Sequence, residues 1–314
     1  MVGEFTQLHL HTAYSLNSGI INVDKLIEFA KSNNIKSLAI TDHLNLFNAI
    51  KFYHKCIAKR IKPIIGCEIP YLSNNKKELL NIVLLCQSNN GYKNLLKIIS
   101  DIHLNNNNSE LCGVNYKQLE KYNDGLIVLT GGRNGILGKN ILSNNFSNDF
   151  PIFKKIFNIF KDRTYVEIDR TLREHEDIYI NKTIALAEQY NLPLVATNDV
   201  LFINEEDFES HEARVCINRK IKLDDRRKQN EFSSSQFFKV KSSMEQIYND
   251  LPDSLENVSE IIKRCNFHLD EQEYHLPAFV PPGEITAENY FNNLINNGFD
   301  SLINKNNNLD ADIY

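Results

Sequence analysis

No C-x-x-C pair, no excess of positive charge and no apolar run long enough to span a membrane occurs in these 314 residues. The six cysteines (Cys56, Cys67, Cys86, Cys112, Cys216 and Cys265) stand far apart, most of them inside apolar runs. That spacing excludes a zinc-finger site and gives no disulfide framework, leaving reduced thiols that pack as small hydrophobes. Lys+Arg 35 against Asp+Glu 40 makes the formal net charge -5, so any grip on nucleic acid must be local. The opening residues lack a basic segment followed by a long apolar one, and a membrane span needs roughly 18 apolar residues in a row. A soluble cytoplasmic protein with no membrane partner is the expectation. The Asn runs at 105–108 and 306–308 read as loop filler.

What is present is alternation. Seven short β-branched runs, at 6–12, 37–43, 62–69, 81–87, 125–131, 163–170 and 192–200, are separated by helical patterns. In VDKLIEFAKSNN, for example, Val23, Leu26, Ile27 and Ala30 follow one buried helical face. Seven βα units imply a mostly parallel sheet, doubly wound or closed as a barrel, and in barrels the chemistry sits where strands end. His9 and His11 lie near the end of the first run, Asp42 and His43 end the second, Glu68 is near the end of the third, and Asp199 ends the seventh.

Side chains alternate along a strand, so His9 and His11 face the same way, about 6.6 Å apart at the usual rise. Two such imidazoles suit one shared metal ion, two metal ions, or a hydrogen-bonded core pair. Asp42 and His43 suit zinc, manganese or iron, although taken alone the pair reads more simply as Asp42 capping the following turn with His43 packed beside it. Glu68, an acid among apolar neighbours, needs a partner or a ligand. The basic cluster Arg226, Arg227 and Lys228 is either a phosphate contact or a solvated charge run.

The motifs HLHTAYSLNSG, LAITDHLNLFNAIKFY, IKPIIGCEIPY, GLIVLTGGRNG and LPLVATNDVLFI, taken in order, resemble the amino-terminal part of the bacterial DNA polymerase III alpha family. The first domain of that family is a polymerase-and-histidinol-phosphatase (PHP) domain. The resemblance implies a distorted seven-stranded (β/α)7 barrel whose metal-binding members place ligands at strand ends. Of those positions His9, His11, His43, Glu68 and Asp199 match, with Asp42 beside them and His103 as a further ligand. Ser18 stands where an Asp is expected, Asn81 and Leu201 where histidines are, and Gly132 where a Cys is. Four lost donors argue against a full metal cluster, leaving no bound metal or at most one divalent ion.

By the same resemblance, residues 1–270 form the PHP domain, with the barrel to about 205 and a helical extension over 206–270. Residues 271–314, with LPAFVPPGE as the linker, lead into the truncated start of a polymerase palm. The magnesium-holding carboxylates of that palm are absent; Asp310 and Asp312 read as a solvated acidic tail. The implied role is a scaffold for the proofreading exonuclease and other replicase subunits, meeting DNA through the full-length polymerase. The alternative is an active metal-dependent phosphoesterase or 3'-5' exonuclease.

Overall fold

A computed structural model describes residues 3–16, 18–72, 79–105, 112–143, 146–227, 231–269, 277–283 and 285–305. The chain divides into two compact units, Met1–Leu269 and Asp270–Tyr314. The first unit is built on one curled sheet of six strands in sequential order: β1 (Ser37–Ile40), β2 (Lys62–Leu72), β3 (Leu79–Cys86), β4 (Leu126–Leu129), β5 (Thr164–Asp169) and β6 (Leu194–Thr197). Around it run α1 (Val23–Ser32), α2 (Ala49–Ala58), α3 (Asn89–Asn105), α4 (Tyr116–Tyr122), α5 (Gly138–Leu142), α6 (Phe146–Phe160) and α7 (Glu176–Gln189). Then follow α8 (Phe208–Arg219), α9 (Leu223–Arg227), α10 (Lys241–Ile247) and α11 (Pro252–Arg264). Among the described residues no helix is long and apolar enough to cross a membrane.

One expectation from the sequence, the strand at 6–12, is corrected, and the mostly parallel sheet contains one reversed strand. The first run, 6–12, is no strand: it makes single bridges, Leu10 with Val200 and Thr12 with Ile21. The reason is a side chain. Leu10 N–H donates to Thr41 Oγ1 (2.8 Å) and not to a backbone carbonyl, while Thr41 N–H donates to Leu10 O (2.9 Å). The ladder is interrupted where it would start, yet the run still ties the end of β1 to the segment after β6. The sheet is also mixed, because β3 runs antiparallel to both β2 and β4. Only residues 73–78 connect β2 to β3, too few for the crossover a parallel pair requires.

Alternation along β2, β3 and β4 splits their apolar residues between two cores. Ile65, Cys67, Ile82, Leu84 and Val128 pack outward against the surrounding helices. Ile64, Val83, Leu85, Ile127 and Leu129 fill the concave side together with Leu255, Val258, Ile261 and Ile262 of α11. The four α11 residues form the single face their spacing predicts, and Pro252 starts the helix where no N–H is needed. In α1, Val23, Leu26, Ile27 and Ala30 are buried, and the Asn22 side chain accepts from Asp24 N and Lys25 N, a cap worth about 1 kcal/mol. The apolar filling ends at Gly66 on β2 and Tyr165 on β5; the next inward residues, Glu68 and Glu167, are acidic. The polar mouth begins there. In the second unit, α12 (Ala287–Lys305) follows the irregular segment 277–283.

Candidate metal centre

His9 and His11 are fixed first by backbone: Val200 N donates to His9 O (3.1 Å) and His11 N to Val200 O (2.8 Å). Both rings therefore project to one side, and their Nε2 atoms meet 3.2 Å apart. Each Nδ1 is held from behind, His9 by Glu167 Oε1 (2.7 Å) and His11 by Ser15 Oγ (3.0 Å). Ser15 Oγ in turn donates to Asp42 Oδ1 (2.7 Å). With His9 protonated and His11 neutral, every bond of this chain finds a donor: His9 Nδ1 to Glu167, His9 Nε2 to His11, His11 Nδ1 to Ser15, and Ser15 to Asp42.

The electrostatics favour that assignment. Burial opposes a charge on His9, but Glu167's carboxylate, aided by Glu68 and Asp199, outweighs it and raises the pKa well above 6.5. For His11, burial prevails over the attraction of Glu68 and, with the neighbouring His9 charge, lowers the pKa. Burial would raise the pKa of Glu68, yet His11, His43 and His9 together hold it well below the usual carboxylate range. Its oxygens accept from His43 Nδ1 (2.8 Å) and Asn81 Nδ2 (2.7 Å), and burial opposing a charge on His43 is overcome by that bond and Glu68's charge.

One ion fits this corner. The ligand atoms of His9, His11 and Glu68 lie within 4.8 Å of one another. Ligands of a tetrahedral zinc stand about 3.3 Å apart, close to the 3.2 Å between the two Nε2 atoms and the 3.6 Å from His9 Nε2 to Glu68. Carboxylate and hydroxyl partners on each Nδ1 are the second-layer bonds that orient ligating imidazoles. An ion there would displace the proton between the rings.

The other side of the mouth does not fit. Leu201 is buried and apolar, and Asn81 spends its amide on Glu68. Gly132 sits at φ +59 with Asp169 Oδ2 2.4 Å from the place a Cβ would take. A Gly132→Cys variant should thus lose about 1–3 kcal/mol of stability in chemical denaturation, from the left-handed backbone and the displaced carboxylate, without taking up metal. Extra bound metal at unchanged stability would contradict this. Asp199, also left-handed at φ 44, is 3.9 Å from His11 Nε2, but its Oδ2 accepts from Gln236 (2.9 Å) and faces Arg173 (3.5 Å).

The structure thus gathers His9, His11, His43, Glu68 and Asp199 at one mouth. Asp42 is there too, as a brace: it accepts from Thr12 N, Thr12 Oγ1 and Ser15 Oγ. His103, on α3, instead has Nε2 against Leu44 O (3.1 Å). Ser18 lies in a turn, its N donating to Ser15 O (2.9 Å). Arg226 and Arg227 end α9, their side chains outside what is described, as are Lys228, Asp310 and Asp312. Sequence reasoning passed over Glu167, Asp169 and Arg173. The signal for the two acids was the pattern YVEIDR, two acids two apart at a strand's end, the same spacing that drew attention to His9 and His11.

Residues 7–171 match the family model described as PHP domain. Among curated relatives, the DNA polymerase III subunit alpha of Pseudomonas fluorescens is 34% identical over 304 residues, covering 96% of this chain and 26% of the relative. That of Escherichia coli K12 is 35% identical over 287 residues, covering 91% and 25%. The chain spans about a quarter of the length of these relatives. An amidohydrolase structure from Chromobacterium violaceum aligns at TM-score 0.45 and 12% identity, over 66% of this chain and 96% of that one. With more than half its length inside the matched model, and with paired histidines, acids and strand ends converging on one mouth, the chain belongs to the PHP-domain family.

Proposed function

We propose that this chain is the PHP region of a replicative DNA polymerase alpha subunit and acts there as a scaffold that docks the proofreading exonuclease, without hydrolysing anything itself. Residues 1–270 are the PHP domain on this reading, and 271–314 the linker and the beginning of the palm. DNA, the other replicase subunits and catalytic magnesium belong to the full-length polymerase. The observation that carries the proposal is the way lost ligand positions have been refilled. Asn81 donates to Glu68, Asp169 occupies the space beside Gly132, and Leu201 is buried apolar surface. A hydrolytic cluster needs several open donor positions around activated water, and these residues close them.

One observation favours a second reading. The two Nε2 atoms converge on a point that suits a single zinc, manganese or iron ion, which would supply Lewis-acid activation of water in a phosphoesterase or 3'-5' exonuclease. Metal content by elemental mass spectrometry and hydrolysis assays, on the parent chain and a His9→Ala, His11→Ala double variant, separate the two. The scaffold reading expects at most one ion per chain, lost in the double variant, and equal, negligible hydrolysis by both proteins. It also expects co-elution with the exonuclease. Manganese-dependent hydrolysis that only the parent shows would establish the second reading; failure of even the full alpha chain to bind the exonuclease would remove the docking role.

A further inference from the structure

The half of the mouth that lacks imidazoles is crowded with acid. Asp169 and Asp199 are both buried there, and buried carboxylates need a compensating cation. One is present. Arg173 has a side chain only 2% exposed, with Nη2 2.9 Å from Asp169 Oδ1 and Nη1 3.5 Å from Asp199 Oδ2. Its Nε donates to Thr171 Oγ1 (2.8 Å), which fixes the plane of the fork. The oxygens are held in turn: Asp169 Oδ2 accepts from Arg133 N (2.8 Å), and Asp199 Oδ2 from Gln236 Nε2 (2.9 Å). Gly132 leaves the space that Asp169 needs for this arrangement.

We propose that the Arg173 guanidinium is a built-in replacement for a divalent cation between Asp169 and Asp199, so that a metal ion can enter that half of the mouth only when the arginine is removed. A guanidinium keeps its charge at any pH the fold survives and offers two donors in a fixed plane to two carboxylates. It pairs with both acids, as a bridging ion would, and it faces the same Asp199 oxygen that Gln236 holds. Simple loss of ligands would have left two buried acids facing each other. The arginine removes that repulsion, which makes it a positioning residue for both.

The test is metal stoichiometry together with thermal stability. In chelator, Arg173→Ala should melt roughly 6 °C or more below the parent. With millimolar manganese it should regain most of that loss and bind one more equivalent than the parent does. Adding Asp199→Asn should abolish both the rescue and the extra equivalent. Arg173→Lys keeps a cation and should gain no ion. If Arg173→Ala does not fold in chelator, refolding with manganese replaces the melt: recovery only with the metal supports the proposal, and failure in both conditions overturns it. No extra equivalent in Arg173→Ala, or an extra one in Arg173→Lys, overturns it as well. The proposal rests on the reading above only in taking the mouth as short of its full metal complement. The parent's own metal content tests that reading, and the difference between variant and parent tests this one.

Discussion

A Glu167→Gln variant is expected to unfold at lower denaturant than the parent at about pH 6, by about 3 kcal/mol, with the gap narrowing as pH rises through the raised pKa of His9. Glu167 accepts from His9 Nδ1 and from Thr197 Oγ1 (2.6 Å), and its side chain is fully buried. Glutamine keeps the shape and one acceptor but removes the charge that outweighs the burial of His9. The sign follows from the raised pKa of His9. A histidine whose folded pKa lies above its unfolded value of 6.5 contributes its full stabilisation below that value. The contribution disappears as pH rises through the folded pKa. Above that point the parent also holds His9 neutral, so both proteins converge. Glu68 acts in the opposite sense: its lowered pKa makes a contribution that is lost as pH falls below about 4.5. Both proteins carry Glu68, so acid weakens both and the difference between them isolates Glu167. A gap that stays constant or widens towards alkaline pH would mean that His9 is not the charged partner. The loss stays near the low end for a broken buried pair because His9 can shed its proton, an escape an arginine lacks.

The same pair shows what could be read from the sequence and what could not. His9 and His11 were legible because a two-residue spacing in an extended segment puts both rings on one side whether or not the segment joins a ladder. Glu68 was legible because an acid in a run as apolar as IIGCEIPY has to find partners. The helical faces of α1 and α11 followed from period alone, since one buried stripe satisfies both. The strand count failed at residues 6–12, where the interruption comes from the Thr41 hydroxyl, 31 residues away. No local pattern reports such a contact. Arg173 lies beyond the end of β5 in TLREHE, which reads as solvated loop; its burial depends on Asp199, brought in by β6. The space beside Gly132 is legible only in three dimensions, because what fills it is the carboxylate of residue 169.

Asp42 supplies the other large effect. Asp42→Ala should lose about 3–5 kcal/mol, while Asp42→Asn should lose about 1 kcal/mol. Three donors depend on this carboxylate: Thr12 N (2.7 Å), Thr12 Oγ1 (2.7 Å) and Ser15 Oγ (2.7 Å), and both Thr12 and Ser15 are buried. Alanine leaves each donor unsatisfied, at about 1–3 kcal/mol apiece before relaxation. Asparagine keeps one oxygen for Thr12 N and Ser15, and the Thr12 hydroxyl can turn to accept from the new amide. Ser15 also accepts from His43 N (3.0 Å) and bonds His11 Nδ1, so loosening Asp42 frees the ring that faces His9. Urea titration of the two variants gives the stability difference, and metal content gives the consequence for the mouth. A brace predicts unequal stability losses and, for Asp42→Asn, the parent's metal content. A metal ligand predicts that both variants lose the ion alike, because an amide oxygen is a poor substitute for a carboxylate on zinc, manganese or iron. The hydrogen bonds already in place use Asp42's oxygens on Thr12 and Ser15, so the unequal outcome is the expected one.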